Sequence, residues 1–394
     1  MCGITGIFGI PSQATSEAAS AALERMTEQI AHRGPDARGV WTSDAEVMLG
    51  HRRLSIIDTQ EHSNQPFIHA PTGDVIVFNG EVYNYRELRE ELKGGFRFQT
   101  ESDTEVVLAA LQAWGAAALH RFNGMFAFAF WSNEKRELLL ARDRMGIKPL
   151  YFAETPSGLI FSSEVRSLLA SGWIGKRHDP IALADYLRYQ TVHAPRTIIQ
   201  GVSMLPAGHW MRLQGEETTE SAWWDLASEA AKIERELPRP ERLKRIRSAM
   251  ENAVDLRMRS DVPLGAFLSG GIDSSAIVGL MKSATDQQVS TFSVTFDEGE
   301  FDESTWSRMV AKRFDTDHHE IRLESQDFLH QVPDALSAMD HPSGDGPNTY
   351  VVSAATKKEG ITVALSGLGG DEIFAGYPVF KRSQQLLEKR WLAS

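Results

Sequence analysis

The sequence predicts two mixed α/β parts joined by a charged connector, and three observations support this division. The chain has 394 residues, and about 150 residues per domain gives two or three domains. Residues 124–131 alternate bulky and small apolar side chains, which is typical of a buried strand. Residues 261–268 form a second apolar run, followed by a glycine-rich loop and a helical pattern. This order predicts a parallel strand in an α/β layer.

Composition and charge exclude several classes of protein. Asp and Glu number 53 against 41 Lys and Arg, and the net charge of −12 argues against binding nucleic acid or anionic membrane. One cysteine excludes an intrachain disulfide framework and a multi-cysteine metal cluster. No apolar run reaches about 18 residues, and the first basic residue is Arg25, so we expect neither a membrane span nor a signal peptide. The expected location is the cytoplasm.

The single cysteine is Cys2, directly after the initiator methionine. Removal of Met1 would give Cys2 a free α-amine, whose pKa of about 8 lets it exchange a proton with the thiol. An N-terminal nucleophile of this kind needs no separate histidine. The alternative is a small residue at a processed terminus with no chemical role. Residues 2–9 also predict a strand in which glycines permit close backbone approach.

Four further segments follow Cys2 in a fixed order, at residues 32–36, 51–58, 78–84 and 101–105. They contain His-Arg-Gly-Pro-Asp, His-Arg-Arg-Leu-Ser-Ile-Ile-Asp, Phe-Asn-Gly-Glu-Val-Tyr-Asn and Glu-Ser-Asp-Thr-Glu. Over about the first 210 residues the chain resembles the class II glutamine amidotransferases, which are N-terminal nucleophile hydrolases. The resemblance implies an α+β fold with four layers in the order αββα, in which both sheets are antiparallel.

The chemistry of glutamine indicates what these segments would supply. A guanidinium suits the α-carboxylate, and Arg53 is the candidate, while Asp103 suits the α-amine. Thiolate attack creates an oxyanion, to which Asn79 can donate a side-chain N–H and Gly80 a backbone N–H. The alternatives are a hairpin turn at Asn79-Gly80 and surface charges at Arg53 and Asp103. The resemblance implies Cys2, Asn79 and Gly80 as catalytic and the following glutamine pocket: Arg53, Leu54, Ser55, Ile56, Ile57, Asn79, Gly80, Glu81 and Asp103.

A charged stretch at residues 226–259 connects the two parts. Pro238 and Pro240 interrupt it, so we expect two helices rather than one. Before it, residues 161–164 resemble the next strand of the amidotransferase family, leading into a helix at residues 165–170. Together with the connector, the resemblance implies a glutaminase domain at residues 2–210, a connector with the first helices of the second half at 211–260, and a second domain at 261–394.

Residues 269–275 read Ser-Gly-Gly-Ile-Asp-Ser-Ser between the predicted strand and helix. Such a loop sets backbone N–H groups and a helix N-terminus against phosphate, and Asp273 can hold Mg²⁺ through its carboxylate. It lacks the Gly-Lys-Ser/Thr of a Walker A loop and is not a dinucleotide fingerprint. It resembles the pyrophosphate loop of the ATP-pyrophosphatases, which activate a carboxylate as its adenylate.

A predicted buried strand at residues 361–365 leads to Asp371, a candidate second Mg²⁺ ligand whose alternative role is a helix N-cap. Adjacent His318 and His319 would face opposite sides of a strand, which favours a structural role. The resemblance implies Mg²⁺ at Asp273 and Asp371. It also implies this ATP- and pyrophosphate-binding set: Leu268, Ser269, Gly270, Gly271, Asp273, Ser274, Ser275, Val294, Ser366 and Gly367.

A glutaminase joined to such a loop resembles the glutamine-hydrolysing asparagine synthetase family. The resemblance implies that Cys2 releases ammonia from glutamine through a γ-glutamyl thioester. A carboxylate then attacks the α-phosphate of ATP, giving pyrophosphate and an acyl-adenylate, from which ammonia displaces AMP. The implied substrates are glutamine, ATP and a carboxylate acceptor, with aspartate first, and the implied cofactor is Mg²⁺. A homodimer is the assembly that we consider.

Three features depart from well-studied members of that family. Leu368 stands where they have a glutamate linked to adenylate formation, and residues 342–350 lack the Thr/Arg pattern expected of an aspartate pocket. The chain also ends at Ser394, before the family's further helices and catalytic lysine. Two alternatives therefore stay open: amidation of another carboxylate in a polysaccharide or natural-product pathway, and a truncated remnant with only a glutaminase or binding role. A late helix at residues 380–391 is expected to expose apolar side chains.

Overall fold

The computed structural model describes residues 1–10, 14–43, 46–156, 158–233, 237–296 and 304–388. The chain divides into two compact units. The first comprises Met1–Glu236 with Leu336–Gly346, and the second comprises Leu237–Ala335 with Pro347–Ser394. Each unit has its own sheets and its own hydrophobic core.

The first unit contains two six-stranded sheets, within its described residues. Its strands are β1 (Gly3–Phe8), β2 (Ala37–Ser43), β3 (Val47–Arg53), β4 (Phe67–His69), β5 (Asp74–Val82), β6 (Gly124–Ser132), β7 (Glu137–Arg142), β8 (Tyr151–Thr155), β9 (Gly158–Ser162), β10 (Ser203–Met204), β11 (His209–Gln214) and β12 (Glu217–Ala222). Its helices are α1 (Ser16–Gln29), α2 (Tyr85–Leu92), α3 (Asp103–Trp114), α4 (Val165–Ala170), α5 (Pro180–Tyr189) and α6 (Leu226–Ala231). Sheet A has the order β10-β8-β9-β1-β3-β2, and sheet B has the order β12-β11-β7-β6-β5-β4.

Three hydrophobic clusters place these elements in four layers. Met26 of α1 shares one cluster with Ile7 of β1, so the helix covers one face of sheet A. Ile4 lies on the other face of β1, because alternate strand residues point to opposite sides, and it shares a cluster with Val77 of sheet B. Val107 of α3 belongs to the cluster on the outer face of sheet B. The strand pairs are antiparallel, and the predicted αββα arrangement is confirmed.

The second unit contains a parallel sheet in the order β15-β14-β13-β16. The parallel strands and the helices between them confirm the predicted α/β layer, with Ala266, Val278 and Met281 in its core. The elements are α7 (Arg239–Arg257), β13 (Leu264–Phe267), α8 (Ile272–Ala284), β14 (Ser290–Phe296), α9 (Ser304–Phe314), β15 (Asp317–Leu323), α10 (Ser325–Ala338), α11 (Gly346–Lys358), β16 (Val363–Leu365), α12 (Gly370–Phe374) and α13 (Pro378–Glu388).

Several local predictions are confirmed. The connector folds as the two helices α6 and α7, and Pro238 is the N-cap residue of α7. His318 contacts the Thr291 hydroxyl, whereas the His319 ring stacks on Phe292, so the two imidazoles lie on opposite faces of β15. Helix α13 exposes apolar side chains over its described part, and Trp391 of the predicted helix lies outside the described residues. The exposed side chains are Val379, Phe380, Leu386 and Leu387.

Two local predictions need correction. Strand β16 is half-buried along its length rather than buried, because it pairs with β13 on one side only, at the end of the sheet order. The strand predicted at residues 161–164 belongs to β9, which ends at Ser162, and the next two residues form a bend before α4. Among the described helices, none is long and apolar enough to cross a bilayer.

Candidate active sites

Cys2 immediately precedes β1, which lies inside sheet A between β3 and β9. The Leu54 N–H donates to the Cys2 sulfur over 3.4 Å, and the thiol lies 3.5 Å from the Leu54 carbonyl oxygen. Burial raises the pKa of the Cys2 thiol, while the Leu54 hydrogen bond and the neighbouring amine act in the opposite direction. The thiol is therefore held by backbone at a fixed place and needs a base to become a thiolate.

The terminal amine lies among cations. Burial lowers the pKa of the Met1 amine to about 6; the Cys2 thiolate opposes this shift, and the charges of Arg33 and Lys148 add to it. Burial also lowers the pKa of Lys148, whose Nζ lies 3.2 Å from the Met1 sulfur. The Met1 amine is thus largely unprotonated at neutral pH and can accept a proton. Sequence reasoning assigned no role to Arg33 or Lys148, although both lie in segments typical of the family.

Arg53, the last residue of β3, is buried, and the following loop wraps its guanidinium. Nη1 donates to the Gln60 carbonyl oxygen at 2.9 Å and to Asn64 Oδ1 at 2.8 Å. Nη2 donates to the Ile57 carbonyl oxygen at 3.4 Å and also to that of Asp58. The predicted pocket segment therefore folds around Arg53, and a surface-charge role for this residue does not fit its burial.

Asp103 is the first residue of α3 and is also buried, and its carboxylate accepts the Val82 N–H at 3.0 Å. Burial raises the pKa of Asp103 to about 7, and the charge of Glu81 contributes to the rise. Arg53 lowers the pKa of the Cys2 thiol and Asp103 raises it, so both charges act at the sulfur. Arg53 also directly precedes Leu54, whose N–H contacts the Cys2 sulfur, so the guanidinium side chain belongs to the segment that holds the thiol.

Asn79 lies on β5 and is completely buried. Neither polar atom of its side chain has a hydrogen-bond partner among the described residues. A buried amide without partners is costly, which indicates a position kept for a ligand or a reacting group. Gly80 follows in the same strand, where a Cβ would overlap the Met125 carbonyl oxygen of β6. Asn79-Gly80 lies within β5, opposite Ala127 and Phe126, and is not a hairpin turn.

The remaining residues of the predicted pocket lie nearby. The Ser55 N–H donates to the Asp36 carboxylate at 2.8 Å, and the half-buried Ile56 packs on the core beneath α3. His51 is a further neighbour that sequence reasoning did not single out. Its Nε2 lies 3.1 Å from the Phe78 carbonyl oxygen, directly before Asn79, and burial lowers the pKa of His51 to about 3. The imidazole is therefore neutral at working pH and can donate to that carbonyl.

In the second unit, residues 268–271 connect β13 to α8. Gly270 has a φ of 86°, and a Cβ there would lie 2.5 Å from the Trp306 Cβ, so the turn requires glycine. The Ser269 hydroxyl accepts the Gly271 N–H at 3.3 Å and lies 3.1 Å from the Ser274 hydroxyl. Ser275 donates to the Gly271 carbonyl oxygen at 2.7 Å. The strand, glycine turn and helix predicted for a phosphate site are all present.

A second loop, between β16 and α12, lies against this turn, because β13 and β16 are adjacent parallel strands. A Cβ on Gly367 would lie 3.0 Å from the Asp273 Cβ, and one on Gly370 would overlap the Asp273 carboxylate. The pKa of Tyr377 is raised first by its hydrogen bond to Glu372, and the charges of Asp371 and Asp273 also contribute. Both predicted metal-binding carboxylates are therefore close to one hydroxyl. Carboxylate oxygens are the ligands that Mg²⁺ prefers, so the chemistry of Asp273 and Asp371 fits this ion, and their metal-binding role stays a prediction.

The other predicted residues of this site are distributed around the two loops. Leu268 is fully buried and donates its N–H to the Phe292 carbonyl oxygen of β14 at 2.8 Å. Ser366 accepts the Leu368 N–H at 3.1 Å, and the Leu368 side chain is 88% exposed. Val294 packs against a small cluster that contains Val351 of α11. The place of Val294 in the ATP-binding set thus stays a prediction.

Comparison with known proteins divides the chain near Glu236, where the first long segment of the first compact unit ends. The family model for a glutamine amidotransferase domain matches residues 1–224, and that for asparagine synthase matches residues 245–393. A protein of Methanocaldococcus jannaschii, "Putative asparagine synthetase [glutamine-hydrolyzing] 2", is 35% identical over 96% of this chain and 76% of its own length. "Asparagine synthetase [glutamine-hydrolyzing] 1" of Bacillus subtilis is 35% identical over 98% of this chain, which spans 60% of that protein. "Amidase chry2" of Gibberella zeae is 32% identical over 97% of this chain and 60% of its own length.

Proposed function

From the premise that the chain belongs to the glutamine-hydrolysing asparagine synthetase family, we propose that it transfers the amide nitrogen of glutamine to a carboxylate that it first activates with ATP. The observation that carries the proposal is that the charges of Arg53 and Asp103 both act on the Cys2 thiol, which the Leu54 N–H holds directly after Arg53. A glutamine side-chain amide, α-carboxylate and α-ammonium match these three groups in charge. Aspartate is the proposed acceptor and asparagine the proposed product.

In the first unit the α-amine left on Cys2 after Met1 removal takes the proton of the thiol. The thiolate attacks the amide carbon of glutamine, and the Asn79 side-chain N–H and the Gly80 N–H donate to the oxyanion that forms. The tetrahedral intermediate collapses as its nitrogen takes the proton back and leaves as ammonia, giving a γ-glutamyl thioester. Water then hydrolyses the thioester to glutamate and restores the thiol. Burial and then the charges of Arg33 and Lys148 lower the pKa of the Met1 amine, and we expect the same surroundings to keep the Cys2 amine unprotonated before attack.

In the second unit, the backbone N–H groups of residues 269–275 and the first turn of α8 hold the phosphates of ATP. Ser366 and Gly367 lie on the opposite side of the same space, and Val294 contacts the adenine. Asp273 and Asp371 would hold Mg²⁺, which when bound neutralises charge on the phosphates. The acceptor carboxylate attacks the α-phosphorus, the bond to the β-phosphate oxygen breaks, and pyrophosphate leaves. Ammonia then attacks the acyl carbon and AMP departs.

A second acceptor class is favoured by one observation, the exposed Leu368 in the loop beside Asp273. A leucine cannot accept a proton or donate to a carboxylate, so this position offers no polar contact to an amino-acid acceptor. The same two-site chemistry on another carboxylate, such as a uronic acid, is therefore the second candidate. The relative named an amidase is compatible with a wider range of reactions in the family.

The test of the proposal is one reaction that contains the protein, glutamine, Mg-ATP and aspartate. Glutamate, pyrophosphate and asparagine are measured together, with ammonium chloride replacing glutamine in a parallel tube. Aspartate-dependent pyrophosphate with equimolar asparagine is the expected result. Glutamate without aspartate-dependent pyrophosphate would favour another acceptor, and a panel of uronic acids would then replace aspartate. No glutamate and no pyrophosphate under any condition would refute the proposal.

Replacing Asn79 by alanine is expected to lower kcat for glutamine hydrolysis by about 10²–10³, the usual effect of removing one oxyanion donor. The KM for glutamine should change little, because Arg53 and Asp103 remain. The measurement is glutamate release, and Asn133→Ala, in the exposed turn after β6, is the matched control. A loss confined to KM would instead assign Asn79 to substrate binding.

The affinity for glutamine is expected to weaken as the pH falls from 8 to 6. Burial raises the pKa of Asp103 to about 7, so below this pH the carboxyl group of the free enzyme is neutral and no longer attracts the substrate ammonium. The measurement is kcat/KM for glutamine against pH. In Asp103→Asn the value should be low throughout, and the step near pH 7 should be missing. An identical step in the variant would assign the pH dependence to another group.

A further inference from the structure

The segment Leu336–Gly346 belongs to the first compact unit, although it lies between the main parts of α10 and α11, which belong to the second. It also lies inside residues 245–393, which match the asparagine synthase model rather than the amidotransferase model. The proposed function gives this segment no task. Its contacts show that it brings one buried charge to α4, the helix that follows β9.

Asp340 supplies that charge. Its Oδ2 accepts the Val165 N–H at 2.6 Å, and its Oδ1 accepts the Arg166 N–H at 2.8 Å. The Arg166 Nε also lies 3.2 Å from Oδ1, and its Nη2 donates to the Ala338 carbonyl oxygen at 2.8 Å. Helix α4 has no capping hydrogen bond from the side chain of its own N-cap residue, Glu164. Asp340 therefore caps this helix from a distant part of the chain.

Glu164 links α4 to the residues beside Cys2. Its Oε1 accepts Arg33 Nη1 at 3.0 Å and lies 2.8 Å from His32 Nε2, while its Oε2 lies 3.3 Å from Arg166 Nε. Burial raises the pKa of Glu164, but the His32 hydrogen bond and the Arg33 charge outweigh this and hold it below its usual value. Glu164 is thus an anion shared by two arginines.

The last contact reaches the nucleophile. Arg33 Nε donates to the Cys2 carbonyl oxygen at 2.9 Å, and this carbonyl follows the amine and thiol of the same residue along the chain. The chain of contacts is therefore a row of alternating charges that ends on Cys2, in the order Asp340, Arg166, Glu164, Arg33. Each member is partly or fully buried, so each charge is weakly screened by solvent.

We propose that Asp340 is a positioning residue for the Cys2 nucleophile, supplied by the synthetase-matching part of the chain; this inference rests on the proposed glutaminase function. Asp340 holds Arg166 away from full pairing with Glu164, which leaves Glu164 available to Arg33. Without the negative charge of Asp340, Arg166 turns to Glu164 and competes with Arg33. The Arg33 guanidinium then loses its anchor, and the Cys2 backbone loses the donor that fixes its orientation.

The test compares Asp340→Asn with Asp334→Asn, which removes a negative charge from an exposed site on α10, the helix that ends two residues before Asp340. In Asp340→Asn, kcat for glutamine hydrolysis is expected to fall about tenfold, a typical coupling within one ion-pair network. The KM for glutamine is expected to stay within about twofold, because the substitution leaves Arg53 and Asp103, the proposed glutamine-binding groups, unchanged. If Asp340→Asn folds poorly, Asp340→Ser takes its place. The serine hydroxyl can still cap α4 but carries no charge, so the same loss in kcat is expected.

A background substitution separates charge competition from simple helix capping. In Arg166→Met the competing guanidinium is absent, so adding Asp340→Asn should cost nothing further in kcat. A merely structural cap would be lost in both backgrounds, and an equal kcat loss in both would overturn the proposal.

Thiol alkylation gives a second readout that needs no turnover, because Cys2 is the only cysteine in the chain. The pH profile of alkylation by iodoacetamide should shift in Asp340→Asn and not in Asp334→Asn. Unchanged profiles together with unchanged kcat would overturn the inference. A further outcome separates this inference from the proposed function. If the wild-type protein does not hydrolyse glutamine but the alkylation profile still shifts in Asp340→Asn, the proposed function is refuted and the influence of Asp340 on Cys2 is supported.

Discussion

Replacing Cys2 by alanine is expected to reduce glutamate release from glutamine by about 10⁴-fold or more, since removal of a nucleophile leaves only binding and oxyanion donors. Asparagine formation supplied by ammonium chloride should continue at the wild-type rate, because the ATP loop lies in the other compact unit. The measurement is glutamate and pyrophosphate with either nitrogen source. This split of the two activities is the largest effect that the structure predicts.

A chemical control is available because the chain has one cysteine. Alkylation of the wild-type protein should reproduce the alanine variant, and prior glutamine should slow the alkylation by occupying the pocket. The variant itself should show no change on treatment with the reagent. Glutamine hydrolysis that survives in Cys2→Ala would locate the nucleophile elsewhere and remove the basis of the proposed first half-reaction.

Replacing Asp273 by asparagine is expected to reduce pyrophosphate release by about 10²-fold or more, since even outer-shell partners of metal ligands contribute about 10–100-fold. The carboxylate lies at the first turn of α8, beside Gly367 and Gly370, where an amide would keep the size and lose the charge. Glutamine hydrolysis should be unaffected. The measurement is pyrophosphate against Mg²⁺ concentration, at saturating ATP.

The matched control for this variant is Asp286→Asn, in the exposed turn after α8. It removes the same charge from the same unit without touching either loop. Raised Mg²⁺ should restore part of the activity of Asp273→Asn, because a weakened metal site fills at higher metal concentration. A pyrophosphate rate that equals that of the control at every Mg²⁺ concentration would show that Asp273 is not a metal ligand.

Much of the fold was predictable because its signals are local. The alternation at residues 124–131 and the run before Ser269 each reflect one strand with a defined face in a core. Strand β12 shows the limit, since all six of its residues are exposed and no apolar alternation marks it. It forms because its backbone pairs with β11, and a sequence pattern does not display such pairing.

The residues of the candidate sites were likewise predictable only where a local sequence motif marks them. Cys2, Arg53 and Asp103 were predictable because each lies in a motif whose chemistry matches glutamine. The partly and fully buried row that runs from Asp340 to Arg33 was not, because Arg33 and Asp340 are both far along the chain from Glu164 and Arg166, which they contact. A carboxylate at residue 340 has no local signal that its partner is the backbone of residues 165 and 166. Such pairs are created by tertiary packing alone.

The placement of β1 has a consequence for hydrogen exchange and for the entropy of reaction. A chain terminus normally frays, yet Gly3–Phe8 is buried throughout and pairs with β3 on one side and β9 on the other. The amides of this terminal strand should therefore exchange with the slowest group of the unit, near the rate of global unfolding. The orientational freedom of the proposed nucleophile would then be lost once, during folding, rather than at each encounter with substrate, and a turnover would begin with the attacking group already in place.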